Sequence, residues 1–185
     1  MGQDGRNAVA AIGFLTVVRD QRHGLCGGYL IVNPAGRPLE FHCTAPVRPN
    51  RAQEILYGPT LDEFLYGEQI GRTLVQRGGV QPALLCTDAL PMMSLRPLIS
   101  QPLALLLPSV EPQTEESPLR YRVDPGQEGP PEARMLNVRG GRMTTAPAHP
   151  SDLATIADLL PGLDELDLAE PFERIRAAIV EAQGS

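Results

Sequence analysis

Two short, unbroken apolar runs constrain this chain more than any other feature. Residues 82–87 read PALLCT, and residues 103–107 read LALLL between Pro102 and Pro108. Neither alternates polar with apolar, and both are too short for a typical helix. That is the pattern of a strand covered on both faces. Such strands run parallel in a sheet and need crossover connections, which are right-handed. The chain must therefore supply a layer of cover on each side of a sheet.

The rest of the first 109 residues provides more strands and one clear helix. Residues 10–18 are apolar and partly β-branched, which predicts a first strand. The polar turn DQRHG at 20–24 separates it from a second strand at 28–32 (GYLIV). Asn33-Pro34-Ala35-Gly36 is a turn signal, since proline fixes the first central φ and glycine supplies the left-handed one. Residues 39–47 (LEFHCTAPV) then return as the third strand of an antiparallel start. Residues 51–56 form one or two helical turns, broken at Gly58-Pro59. Thr60-Leu61-Asp62-Glu63 fits a capping box, which predicts a helix from Thr60 to about Arg77 that stops at Gly78-Gly79. Its apolar face is Leu61, Phe64, Leu65, Gly71 and Val75. A short helix over 94–100 fills the second crossover, so the order is β-β-β-α-β-α-β.

Residues 110–150 change character, with seven prolines set among Glu, Gly and Gln. That composition predicts a linker or long loop, with short edge strands at Leu119–Val123 and Met135–Val138. Residues 151–185 then carry two amphipathic helices. One starts at Ser151 with Leu153, Ile156, Ala157 and Leu160 on one side. The other follows Asp167–Glu170 and carries Phe172, Ile175 and Ile179. The expected division is a core domain over 1–109, a linker over 110–150 and a helical tail over 151–185.

The β-β-β-α-β-α-β order resembles the ribonuclease H-like fold over residues 8–108, in topology and without a family motif. The resemblance implies a site where carboxylates from the first strand, the first helix and the end of the fourth strand hold two metal ions. Hard cations take oxygen ligands, and a metal pair stabilises both attacking and leaving oxygens. Glu68, on the apolar face of the helix, and Asp88, after residues 84–87, match two of these places. The first strand carries no acid. Under this reading the chain is a nuclease or phosphoryl-transfer enzyme using Glu68 and Asp88 with Mg²⁺ or Mn²⁺.

The cysteines form a second constellation. Cys26, Cys43 and Cys86 are an odd, sparse set rather than a disulfide framework, which points to a reducing, cytoplasmic compartment. One hairpin register sets Cys26 opposite Cys43, with Cys86 on a neighbouring strand, and His42 beside Cys43 completes a possible zinc set. No CxxC spacing is present, and His42 and Cys43 must point to opposite faces of a strand. Buried, inert thiols are the simpler reading.

Charge and composition bear on partners. The net charge of −6 argues against a nucleic-acid backbone as the main partner. Arg139-Gly140-Gly141-Arg142 is similar to an RNA-binding arginine–glycine segment, but stands as a single copy. Arg48 and Arg51, at a strand–helix junction, are placed to meet an anion or an acidic partner. No apolar run is long enough to cross a bilayer. With catalytic sets incomplete and amphipathic helices on a tether, the leading expectation is a non-catalytic interaction or scaffolding protein. It would bind a protein partner through its core or tail, with no cofactor. The nuclease reading is the alternative.

Overall fold

The computed structural model describes residues 11–108 and 135–183. Seven strands form one mixed sheet in the order β3-β2-β1-β4-β5-β7-β6. They are β1 (Ile12–Asp20), β2 (Gly24–Val32), β3 (Pro38–Cys43), β4 (Leu84–Thr87), β5 (Leu103–Leu107), β6 (Leu136–Val138) and β7 (Gly141–Thr145). β1 and β2 are antiparallel, as are β2 and β3. The two apolar runs become β4 and β5, parallel to β1 and to each other. The mixed α/β class expected from the sequence is the class observed.

The helices are α1 (Arg51–Tyr57), α2 (residues 61–77), α3 (Ser151–Leu159) and α4 (Glu170–Gln183). A 3₁₀ segment, Leu90–Leu98, replaces the short helix expected between β4 and β5. Pro91 and Pro97 lie in it and break the α-helical ladder there.

The sheet buries both faces. On one, Ile12, Phe14, Leu30, Val32, Leu84 and Cys86 pack against Phe172, Ile175 and Ile179 of α4. Phe14 and Phe172 meet edge to face, their centroids 5.4 Å apart. On the other, Leu15, Tyr29, Ile31 and Leu85 pack against Leu65, Ile70 and Leu74 of α2. The close approach of both helices depends on two adjacent glycines of β2. A Cβ at Gly27 would stand 2.1 Å from Ile70 Cγ2, and one at Gly28 would stand 2.2 Å from Ile175 Cγ2. Successive strand residues face opposite sides, so the pair seats one helix on each face.

Three details differ from the sequence reading. The capping box belongs to α1. Asn50 Oδ1 accepts from the Gln53 amide at 2.9 Å, and Gln53 Oε1 accepts from the Asn50 amide at 3.0 Å. Thr60 caps nothing, because the 3₁₀ turn Gly58–Thr60 leads directly into α2 and its hydroxyl donates to the Tyr57 carbonyl. Within α2, Phe64–Gly71 winds as a π-helix, with the Arg72 amide bonded to the Gly67 carbonyl five residues back. The wider winding shifts the phase of the side chains. Tyr66, Ile70 and Leu74 therefore join Leu65 in the buried face.

The proline-rich stretch is not linker to its end. Residues 136–138 and 141–145 enter the sheet as β6 and β7, with Arg139–Gly140 as their turn, and Gly140 takes a positive φ of 98°. The edge strand expected at Met135–Val138 is β6, whereas Leu119–Val123 lies outside the described residues. Nor is the tail a free tether. Phe172, Ile175 and Ile179 are almost wholly buried in their own sheet. α3 is pinned by a bidentate ion pair, Arg96 Nε to Asp152 Oδ2 at 2.5 Å and Nη2 to Oδ1 at 2.8 Å.

Asp152 is only 4% exposed, and its hydrogen bonds from Arg96 hold its carboxyl below the ordinary value against the opposing effect of burial. A depressed carboxyl pKa contributes stability above the unfolded value of about 3.9 and loses it as pH falls through the folded value. Asp152→Asn strands a buried guanidinium and should cost about 3 kcal/mol at pH 7. In denaturant titrations the difference between wild type and variant should shrink below pH 4. An undiminished difference in acid would show that the pair does not pin α3.

Candidate functional site

β1 and β4 end side by side, because their parallel register pairs Leu15 with Thr87. The next residues, Thr16 and Asp88, meet there. Thr16, 1% exposed, donates from Oγ1 to Asp88 Oδ1 at 2.7 Å. Alternation along β4 turns Asp88 toward the face of Cys86, where α4 lies. Arg176 of α4 reaches across and pairs its Nη2 with Asp88 Oδ2. Glu173 Oε1 takes the other arm of Arg176 at 2.7 Å. The strand-end carboxylate is thus held by a buried hydroxyl on one side and a guanidinium on the other.

Glu68 is not part of this site. It lies in the π-wound turn of α2, which packs on the opposite face of the sheet, and its side chain is exposed. The phase shift that buries Ile70 turns Glu68 outward, so the apolar face expected to carry it does not. It makes no ion pair with Arg72, four residues on. The structure therefore separates the two acids that the sequence proposed together. Glu54 and Glu63, the other glutamates of the helical stretch, lie on α1 and α2.

This donor set does not fit the metal pair that the fold resemblance implies. The strand end offers one carboxylate, already neutralised by Arg176, and a neutral hydroxyl where a first-strand acid would stand. Among the described residues no group of three or more His, Cys, Asp or Glu side chains is placed to hold a metal ion.

The cysteines do not converge on a zinc site either. The observed register pairs Cys43 with Gly28, two residues from Cys26, and a bulge between Ile31 and Val32 accounts for one residue of that offset. His42 turns to the other face, where its Nε2 lies 3.1 Å from Glu40 Oε2. Cys26 and Cys86 are buried and Cys43 is exposed. Burial pushes the Cys86 thiol up, and Cys26 likewise, though a hydrogen bond from Gln183 opposes it.

Beyond Asp88, the same end of the sheet carries a rim of arginines. Arg19 is the penultimate residue of β1, Arg22 lies in the β1–β2 turn, and Arg48 and Arg51 lie at the start of α1. Arg48 Nε donates to the His23 carbonyl at 3.1 Å, which ties the strand–helix junction to the turn. Arg19 is paired with Asp62 and Arg51 with Glu54. Arg22 and Arg48 have no carboxylate partner among the described residues. Asp20 accepts from the Arg22 and His23 amides, which shapes the turn and lowers its own pKa. Thr16 and Arg176 were legible only as a polar residue in an apolar strand and a cation beside an apolar stripe.

No protein-family model and no curated protein matches the chain. Solved structures similar to it include the following two. One is Ciona intestinalis endonuclease V in complex with a 23mer DNA containing an inosine, at 11% identity and a TM-score of 0.38, covering 57% of this chain and 48% of that one. The other is human ENDOV, at 14% identity and a TM-score of 0.31, covering 60% and 51%. The chain spans about half the length of each, and at these scores neither carries a site or mechanism across.

Two expectations are corrected. The non-catalytic, protein-docking reading relied on a tethered tail, and that tail spends its apolar face on its own sheet. Two of the solved structures similar to the chain are an endonuclease V in complex with DNA and human ENDOV. Setting nucleic acid aside as a partner rested on net charge. Residues 151–185 carry eight acids against two arginines, whereas residues 1–109 carry nine arginines against eight acids. The negative charge therefore belongs to the tail and says little about the strand-end rim.

Thiol titration of the folded protein with Ellman's reagent should find one reactive cysteine, Cys43, and three after denaturation. Two or more fast-reacting thiols in the folded state would contradict the burial of Cys26 and Cys86.

Proposed function

We propose that the chain binds nucleic acid, with the phosphate backbone lying across Arg19, Arg22, Arg48 and Arg51 at the end of β1. The observation that carries this reading is that Arg22 and Arg48 have no carboxylate partner among the described residues, while Arg48 is tied through the His23 carbonyl to the turn that carries Arg22. Arginine presents a planar fork that suits phosphate oxygens, and each contact releases condensed counterions. The stacked Tyr57 and Phe64 rings, 4.0 Å apart, stiffen the α1–α2 corner behind the rim.

Fluorescence anisotropy with a labelled single-stranded or duplex oligonucleotide tests this. Binding should weaken steeply with salt. The double variant Arg22→Glu/Arg48→Glu should bind at least tenfold more weakly, with the salt slope smaller by about 2. Equal affinity and slope in the variant would refute the rim as the binding surface.

Phosphodiester cleavage is a second reading, favoured by the position of Asp88 at the strand end beside β1. In this reading Asp88 is the acid and Glu68 is not. Any phosphodiester cleavage by the full chain should vanish in Asp88→Asn and persist in Glu68→Gln. Loss in Glu68→Gln with activity kept in Asp88→Asn would reverse the assignment.

A further inference from the structure

At the opposite end of the parallel strands, before β4 and β5 begin, lies a second concavity of about 280 Å³ between α2 and the residues leading into β5. Tyr29, Arg72, Gln76, Gln81, Ser100 and Gln101 line it. Tyr29 is 1% exposed, yet its hydroxyl makes no hydrogen bond among the described residues. No buried side-chain oxygen among the described residues lacks a partner, so this hydroxyl is open to solvent, and Tyr29 lines the cavity. Arg72 has no carboxylate partner among the described residues either, since Glu68 points elsewhere. The wall is fixed rather than loose, because Glu40 accepts from the Gly79 and Val80 amides at 2.9 Å each.

We propose that this cavity binds a small oxyanionic ligand of mononucleotide size, a phosphate ester whose charge meets Arg72 and whose polar edge meets the glutamine amides and the Tyr29 hydroxyl. Arg72 is the only charged side chain lining the cavity, which sets the sign of the ligand. The glutamine side chains offer both donors and acceptors, as a nucleobase or sugar edge requires. An unspent phenol at the base supplies one more donor without disturbing the fold. The site is separate from the arginine rim and does not depend on it.

The test is thermal unfolding of the full chain with each of the four ribonucleoside 5′-monophosphates, and with inorganic phosphate, at 5 mM. At least one nucleotide should raise Tm by about 3 °C or more. Tyr29→Phe and Arg72→Ala should each leave the ligand-free Tm within about 1 °C of wild type and remove at least half of the shift. That combination is not produced by a structural role for the phenol, which would lower the ligand-free Tm. Arg22→Glu/Arg48→Glu should keep the full shift. The proposal is overturned if no nucleotide moves Tm, if the shift survives in Tyr29→Phe and Arg72→Ala, or if inorganic phosphate alone gives an equal shift.

Discussion

Two neighbouring glycines in β2 set the thickness of the whole molecule. Gly27 faces α2 and Gly28 faces α4, and side chains from both helices occupy the space where a Cβ would stand. A protein interior is packed like a molecular crystal, so a contact at this range leaves no room to compromise. With any larger residue one helix must lift, and the apolar face beneath it would open. The sheet, the two-sided core and the strand ends all follow from this close approach.

The strand end depends on it in turn. Arg176 reaches Asp88 only because α4 lies tight against β1 and β2, where Phe172 meets Phe14 and Ile175 meets Gly28. On the other face, α2 brings Asp62 to Arg19. The Arg96–Asp152 pair fastens α3 to the segment between β4 and β5. The C-terminal helices are therefore structural members of the sheet, and the exposed chemistry lies at its two ends. One end presents arginines and a clamped acid, the other a polar cavity over a buried phenol.

Much of this architecture was legible in the residues. PALLCT and LALLL could only be covered strands, and Asn33–Gly36 gave the hairpin. The site was less legible, for identifiable reasons. The π-winding of Phe64–Gly71 moves Glu68 off the face that a 3.6-residue period assigns it, and no residue type announces that winding. Arg176 meets Asp88 across 88 positions of sequence, a contact only the fold creates. The β2–β3 register sets Cys43 opposite Gly28, two residues from Cys26, and turn chemistry does not fix the bulge that contributes one of them. Gly27-Gly28 stands as an adjacent pair in the sequence, yet its role required knowing that helices cover both faces. Net charge misled because it averaged an acidic tail with a balanced core.

The most direct test of the central contact is a methyl-resolved NOESY spectrum of the full chain. Gly27 Hα should show cross-peaks to the Ile70 methyls, and Gly28 Hα to the methyls of Ile175 and Ile179. Cross-peaks from both glycines to the same helix, or none to either, would contradict a strand gripped on opposite faces and with it the placement of both sheet ends.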